Sequence, residues 1–177
     1  MAQLRSAAPP PLLLEVALTI ARLNRAWPPT TAGRARATKL CIDPTLELLF
    51  VCETTLPGQP PGLEPLTQPD LTGLYLRRAR LLPLASGAAG SCPLSYLVSG
   101  QCFFTTASHK ELVASFTPSQ VQAGGVELNV QSGLNLLEYL RAERFTVELS
   151  GTLRRRFLRP LPLRLHLELE ARQGLRA

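Results

Sequence analysis

Hydrophobic and polar residues alternate along several stretches of the chain, most clearly near its end. Leucine occupies every second position from Leu161 to Leu169, and polar side chains fill the positions between them from Arg164 onward. Side chains of a strand have a period of two, so this pattern is typical of a β-strand with one buried and one exposed face. The segment 161–170 is therefore predicted to be a strand of an antiparallel sheet.

The same period of two recurs in other segments, separated by turn-forming residues. The run 12–20 alternates through Leu14, Val16, Leu18 and Ile20, and its β-branched residues favour a strand, although the run also fits helical spacing. Further strands are predicted on each side of the turn-forming pair Asp43–Pro44, over 73–84, over 95–106 (as one strand or as a strand bulged at Gly100), over 126–130 and over 145–151.

Two short helices are predicted between these strands. Ser108 and Glu111 have the spacing of a capping box, which predicts a helix that runs to about Phe116, before Pro118. The segment 133–143 places leucines at helical spacing and predicts a second helix.

About eight strands, frequent turns and two short helices predict a mainly β protein with an antiparallel β-sandwich fold. The chain has 177 residues, which suits one domain. Strands do not alternate with helices and no repeat is visible, so Rossmann and solenoid folds are excluded. We expect a flexible leader at 1–11, the sandwich domain at 12–171 with a Pro-rich loop at 57–70, and a tail at 172–177.

Composition limits the class of protein and its location. Hydrophobic residues make up 45% of the chain and charged residues 18%, which argues against a disordered chain. The three prolines at 9–11 interrupt the apolar core that a signal peptide needs, and no apolar run reaches the length of a membrane span. We therefore expect a cytoplasmic protein whose four cysteines, none in a C-x-x-C pair, are free thiols.

Arginine dominates the net charge of +6 and forms small clusters along the chain. The densest cluster is predicted to be an anion-binding or partner-binding patch, with a loop of solvated arginines as the alternative; its members are Arg154, Arg155, Arg156, Phe157 and Arg159. Aromatic residues make up only 6% of the chain and fall mainly in predicted strands, so a nucleic-acid partner, which needs stacking residues, is disfavoured.

Catalytic and metal-binding residues are scarce. The two histidines, His109 and His166, lie on different predicted elements, and the cysteines lack zinc-site spacing. No P-loop, G-x-G-x-x-G or G-x-S-x-G motif occurs. The sequence therefore predicts no enzyme activity, no catalytic residue, no cofactor, no metal site and no small-molecule substrate.

Two segments resemble parts of C2-type domains. The pattern LEVALTIARLNRA at 14–26 looks like the opening strand of such a domain. The stretch 126–151 is similar to a segment of the C2-like region in cargo-carrying class-three kinesins and in ciliary transition-zone scaffold proteins. The positions that carry this second similarity are Val130, Leu137, Tyr139, Leu140, Val147, Glu148, Leu149 and Gly151.

The resemblance implies a C2-like sandwich that acts as a non-catalytic protein-interaction module, an adaptor or scaffold in a cytoskeletal, motor or ciliary assembly. Strand edges and the loop 57–70 are the expected docking surfaces. Calcium binding is excluded because only Asp43 and Asp70 could supply the several Asp ligands of calcium-binding members. Two alternatives stay open: a calcium-independent peripheral membrane module that binds anionic phospholipid through 154–159, and an obligate subunit of a larger complex.

Overall fold

Antiparallel strands make up most of the computed structural model, which describes residues 11–20, 48–60, 63, 70–84, 93–122, 124–155 and 160–173. A five-residue helix and two 3₁₀ turns, Pro93–Tyr96 and Pro118–Gln120, join some of the strands. The nine strands of the described residues and the helix are β1 Leu12–Ile20, β2 Leu48–Pro57, β3 Leu71–Pro83, β4 Leu97–Thr105, β5 Lys110–Phe116, β6 Val121–Gln122, β7 Gly125–Val130, α1 Leu137–Arg141, β8 Arg144–Leu153 and β9 Leu161–Gln173.

Two sheets share strand β7 and enclose one core. The strand order is β1-β9-β3-β7-β5-β4-β8-β2, with β6 paired to β7. The first part of β7 pairs with β3, while Asn129 and Val130 pair with β5. We call β1, β9, β3 and β7 sheet A, and β2, β8, β4, β5 and β7 sheet B. The predicted fold class, a mainly β antiparallel sandwich, is confirmed.

The two end strands of this order, β1 and β2, lie against each other, so that the sheet nearly closes. The Thr54 hydroxyl donates a hydrogen bond to the Ala17 carbonyl oxygen at 2.7 Å across this seam. An exposed strand edge is a template for unwanted pairing. Because the free edges of β1 and β2 face each other, each restricts access to the other.

The core is built by the alternation that the sequence predicts. In β9, the leucines at alternate positions from Leu161 to Leu169 are all buried, and their neighbours face outward. In β1, Leu14, Val16 and Ile20 are buried in the same way. The segment 12–20 is therefore a strand, although it also fitted helical spacing.

A row of two phenylalanines and two glycines crosses the inner face of sheet B. Phe50 pairs with Gly151, Gly151 with Gly100, and Gly100 with Phe116. A Cβ atom on Gly151 would lie 2.9 Å from the Phe50 ring, and one on Gly100 would lie 2.2 Å from the Phe116 ring. Each ring therefore fills the space over a glycine of the neighbouring strand, an arrangement that helps to fix strand register.

The predicted helix at 108–116 is wrong. Residues 110–116 form β5, and the Thr106 amide donates to the His109 carbonyl oxygen at 2.8 Å in the turn that joins β4 to β5. The register of β5 on β4 shifts between Cys102 and Phe103, which leaves Val113 as an extra residue. This irregularity interrupts the period of two. The helix prediction rested on the spacing of Ser108 and Glu111, but the Ser108 hydroxyl lies 2.7 Å from His109 Nδ1, in the turn before β5.

The second predicted helix, 133–143, is shorter than expected. Only Leu137–Arg141 is helical. The Asn135 side chain accepts hydrogen bonds from the amides of Leu74 and Leu137 at 3.0 and 3.1 Å, and donates one to the Thr72 carbonyl oxygen at 3.3 Å. Asn135 therefore ties the segment before α1 to β3, and the helix starts after it.

The irregularities of β4 flank the predicted bulge position. Gly100 itself is in register with both neighbouring strands, and the shifts lie between Leu97 and Ser99 toward β8 and between Cys102 and Phe103 toward β5.

Several other predictions concern residues outside the described ranges. These are the leader up to residue 10, the strand before Asp43–Pro44, most of the loop 57–70 and the end of the tail from residue 174.

Replacing Gly151 by Ala should destabilise the fold by about 2 kcal/mol or more, because overpacking of this kind moves the backbone. The new Cβ would lie 2.1 Å from the Ser99 carbonyl oxygen, which belongs to the backbone. Urea unfolding measures the loss. Gly133→Ala is the control, since a Cβ there meets no atom within 4 Å; equal unfolding midpoints for the two variants would contradict the packing described.

Candidate functional site

The outer face of sheet A is covered by ion pairs. His166 Nε2 lies 2.7 Å from Glu15 Oε1, and Arg164 lies 3.6 Å from the same carboxylate. Glu127 pairs with Arg78 and Arg80. Glu15 and Glu127 therefore each have polar partners on a neighbouring strand. The polar groups of these pairs are thus solvated and paired with one another within the face.

The outer face of sheet B is different, because part of it carries no charged side chain. Its outward residues form two rows across the strands. One row is Leu49, Thr152 and Ser99, and the next is Val51, Ser150, Gln101 and Ser115. Leu49 is 73% exposed and Val51 is 64% exposed. We call these seven residues the uncharged patch.

The uncharged patch includes a shallow depression of about 510 Å³. Short side chains such as Ser99, Ser150 and Thr152 line it, and Leu49 and Val51 stand at its β2 side. The hydroxyl groups of Ser99 and Thr152 are 2.9 Å apart and hydrogen-bonded to each other. The patch thus presents two protruding aliphatic side chains beside a low surface of small polar residues.

Charged residues appear in the neighbouring row of the same face. Glu53 of β2 pairs in register with Glu148 of β8. Lys110 Nζ lies 2.6 Å from Glu148 Oε2 and 4.7 Å from the centre of the Phe103 ring. Lys110 therefore neutralises one of the two carboxylates and marks the border of the uncharged patch.

The structure describes only part of the predicted arginine patch. Arg154 and Arg155 are exposed directly after β8. The Arg154 amide donates to the Tyr96 carbonyl oxygen at 2.8 Å, and the Arg155 guanidinium lies 5.9 Å from the centre of the Tyr96 ring. The other predicted members, Arg156, Phe157 and Arg159, lie outside the described residues.

The described residues carry balanced charge. They include ten Lys and Arg residues and ten Asp and Glu residues, so the net +6 of the sequence is carried by the remaining residues. The two sheets therefore contribute no net positive charge that would attract a polyanion.

A second depression, of about 730 Å³, lies beside the β4–β5 turn and α1. It contains Ser108, His109 and Glu138, a set of residue types that could suggest nucleophilic catalysis. Ser108 Oγ lies 2.7 Å and Glu138 Oε1 3.8 Å from the same ring nitrogen, His109 Nδ1. A triad needs its nucleophile and its acid at opposite nitrogens of the ring. Both His109 and Glu138 are also more than half exposed. The geometry does not form a triad.

Burial makes the thiols of Cys52 and Cys102 poor nucleophiles. Burial raises the pKa of the Cys52 thiol to about 12, with a smaller effect of Glu148. Burial also raises the pKa of the Cys102 thiol to about 12, with smaller effects of Cys52 and Glu148. Both residues pair with Leu149, from opposite sides. They are thus two strand spacings apart, about 9.6 Å, which is too far for a disulfide.

Two features are absent from the part of the chain that the structure describes. It holds no group of three or more His, Cys, Asp or Glu residues that could bind a metal ion. In the same residues no helix is long and apolar enough to cross a bilayer.

Comparison of the chain with protein families, with curated proteins and with solved structures finds no match in any of the three.

Leu49 and Val51 escaped prediction from the sequence. They lie in LLFVC, residues 48–52, where every position is apolar. Such a run predicts a strand buried on both faces, and alternation cannot reveal which side is exposed. Phe50 together with Gly100 and Gly151 could have indicated the buried side of this strand. A large ring packs over a glycine of a neighbouring strand, and this packing selects the face that points inward.

Cys52 and Cys102 should not react with a thiol reagent such as DTNB at pH 8 in the folded protein, because reaction requires the thiolate and both pKa values are raised. The experiment uses a Cys41→Ser, Cys92→Ser variant, in which these two are the remaining cysteines. Two thiols should react after unfolding in guanidinium chloride. Rapid reaction of either thiol in the folded variant would show that the core of sheet B is open.

Proposed function

We propose that the chain is a non-catalytic protein-interaction module that binds other proteins through the uncharged patch on sheet B. The observation that carries the proposal is the exposure of Leu49 and Val51, at 73% and 64%, on the end strand β2. They are the two most exposed large hydrophobic residues in the described part of the chain. Clustered aliphatic side chains at a surface, rimmed by polar residues, are characteristic of binding sites.

The energetics of the patch favour a protein partner. Burial of one exposed Leu or Val side chain contributes about 1.5–3 kcal/mol to association. The neighbouring Ser, Thr and Gln side chains carry no charge, so their desolvation costs less than that of ions and hydrogen bonds can compensate it. Two aliphatic side chains beside a hydroxyl-rich surface thus supply both the apolar and the polar contacts that a small interface uses.

The resemblance to C2-like domains supports a narrower form of the proposal. In that form the chain is a cytoplasmic adaptor or scaffold in a cytoskeletal, motor or ciliary assembly, and its binding does not require calcium. The antiparallel sandwich is shared by many interaction domains, so the fold alone does not select this family. The narrower form therefore rests on the residue pattern at 14–26 and 126–151.

Anionic phospholipid is the second candidate ligand, and the exposed pair Arg154 and Arg155 after β8 is the observation that favours it. Membrane-surface binding combines such cations with apolar side chains that dip into the lipid. The charge balance of the described residues argues against a broad electrostatic contribution from the sheets. We therefore place protein binding first.

A photo-crosslinking amino acid at position 51 should attach the chain to a protein partner, because Val51 is one of the two exposed aliphatic residues of the proposed interface. The same amino acid at position 13 is the matched control, since Leu13 is 43% exposed on the outer face of sheet A. Crosslinking in cell extract with EDTA, read by gel and mass spectrometry, is the measurement. Equal crosslinking from both positions, or a requirement for calcium, would contradict the proposal.

Sedimentation with vesicles separates the lipid alternative from the protein proposal. At physiological ionic strength, which screens exposed charges, we expect no more binding to vesicles containing phosphatidylserine or phosphoinositide than to neutral vesicles, because the proposed binding surface, the uncharged patch, carries no charge. Binding that disappears when Arg154, Arg155 and Arg156 are replaced by Ser would instead establish the lipid-binding function.

A further inference from the structure

We infer that the uncharged patch binds a segment of another protein that is acidic at one end and basic at the other, because exposed charges of opposite sign lie at the two ends of the patch. The inference rests on the proposed function, since it uses the same surface and states the chemistry of the partner. Complementary charges across an interface fix the orientation of a partner and select against others. Three observations on sheet B carry the inference.

The first observation is the positive end, formed by the two arginines that follow β8. The hydrogen bond from the Arg154 amide to the Tyr96 carbonyl oxygen extends the pairing of β8 with β4 by one residue. Arg154 thus comes two positions after Thr152 of the patch, about 6.6 Å along a strand. Arg154 and Arg155 are both exposed, and neither forms an ion pair with a residue that the structure describes.

The second observation is the negative end, formed by Glu53. This residue comes two positions after Val51 in β2 and is exposed. Its partner in register is Glu148, and Lys110 pairs with Glu148 at 2.6 Å. Among the described residues no cation forms an ion pair with Glu53. One carboxylate of the two is therefore left without a counter-ion at this end of the patch.

The third observation is the separation of the two ends. Arg154 follows Glu148 by six positions, which corresponds to about 20 Å of strand. The outward side chains between them on β8 are two small hydroxyl groups, with Leu49 and Val51 beside them on β2. About six residues of an extended partner segment span this distance. The middle of that segment should be uncharged, because an ion held against aliphatic side chains loses solvation.

The same arrangement disfavours an anionic membrane at this face. A bilayer laid on the outer face of sheet B presents one sign of charge everywhere, so the headgroups that approach Arg154 and Arg155 also approach Glu53. Like charges brought together at an interface are unfavourable. A protein segment with opposite charges at its two ends can pair with the arginines and with Glu53 at the same time.

Photo-crosslinking from position 51 in cell extract, read as product yield against extract concentration, tests the inference. An Arg154→Ser, Arg155→Ser variant should need at least about fivefold more extract for the same yield, because two exposed ion pairs are lost. An Arg154→Lys, Arg155→Lys variant should retain capture, since lysine keeps the charge. Glu53→Gln should weaken capture, and added salt should weaken it in the wild type.

The matched control for the arginine variant lies on sheet A. Arg77 and Arg172 are exposed on β3 and β9, so an Arg77→Ser, Arg172→Ser variant makes the same change of net charge away from the patch. Its capture from position 51 should equal that of the wild type. Circular dichroism and thermal unfolding establish that each variant is folded.

Mass spectrometry of the product identifies the partner segment, and a synthetic peptide of that segment is titrated by fluorescence anisotropy. In double-mutant cycles the acidic residues of the peptide should couple to Arg154 and Arg155 and not to Glu53. The basic residues of the peptide should couple to Glu53. A bound segment that lacks acidic residues would overturn the inference.

Capture that the folded arginine and Glu53 variants leave unchanged would overturn the inference and retain the proposed function. Absence of any product from position 51 would contradict the proposed function, and the inference with it. A product with a mass of twice 19.3 kDa would show that a second copy of the chain occupies the patch in place of another protein, which overturns the inference. Binding to phosphatidylserine vesicles that the Arg154→Ser, Arg155→Ser variant loses would assign the arginines to lipid and overturn it as well.

Discussion

The register of sheet B depends on two phenylalanine rings that fill the space over two glycines. Phe50 covers Gly151 and Phe116 covers Gly100, so the four residues form one closely packed inner row. A slip of one residue along a strand exchanges its two faces. Because the Phe50 ring is accommodated only on the inside, Leu49 and Val51 must point outward. The outward orientation of Leu49 and Val51 is thus a consequence of how Phe50 packs in the core.

The two sheets use their outer faces differently. Sheet A pairs its charges across strands, as in the contacts of Glu15 with His166 and Arg164, and leaves little that a partner could use. Sheet B concentrates small polar side chains around Leu49 and Val51. The thiols of Cys52 and Cys102 are buried with raised pKa values, which removes their reactivity at neutral pH. What distinguishes the described surface is therefore the uncharged patch, which is the proposed binding surface.

Alternation in the sequence was sufficient to predict the fold class and most strands, and β9 was the clearest because its leucines follow a strict period of two. The helix prediction at 108–116 failed because it rested on the capping-box spacing of Ser108 and Glu111, and this segment instead forms the β4–β5 turn and the start of β5. The patch was missed because the apolar run 48–52 does not reveal its exposed side. Which face is exposed depends on Gly100 and Gly151, far away in the sequence, and a local pattern cannot contain that information. Of the predicted arginine patch, Arg154 and Arg155 are seen beside Tyr96.

Nuclear Overhauser contacts of the Gly151 α protons test most directly whether β2 has the register described. We expect contacts from these protons to the ring of Phe50, and from the Gly100 α protons to the ring of Phe116, because a Cβ on either glycine would nearly touch the ring. Contacts from Gly151 to the methyl groups of Leu49 or Val51 would contradict this register. They would place the two aliphatic side chains in the core and remove the proposed binding surface from sheet B.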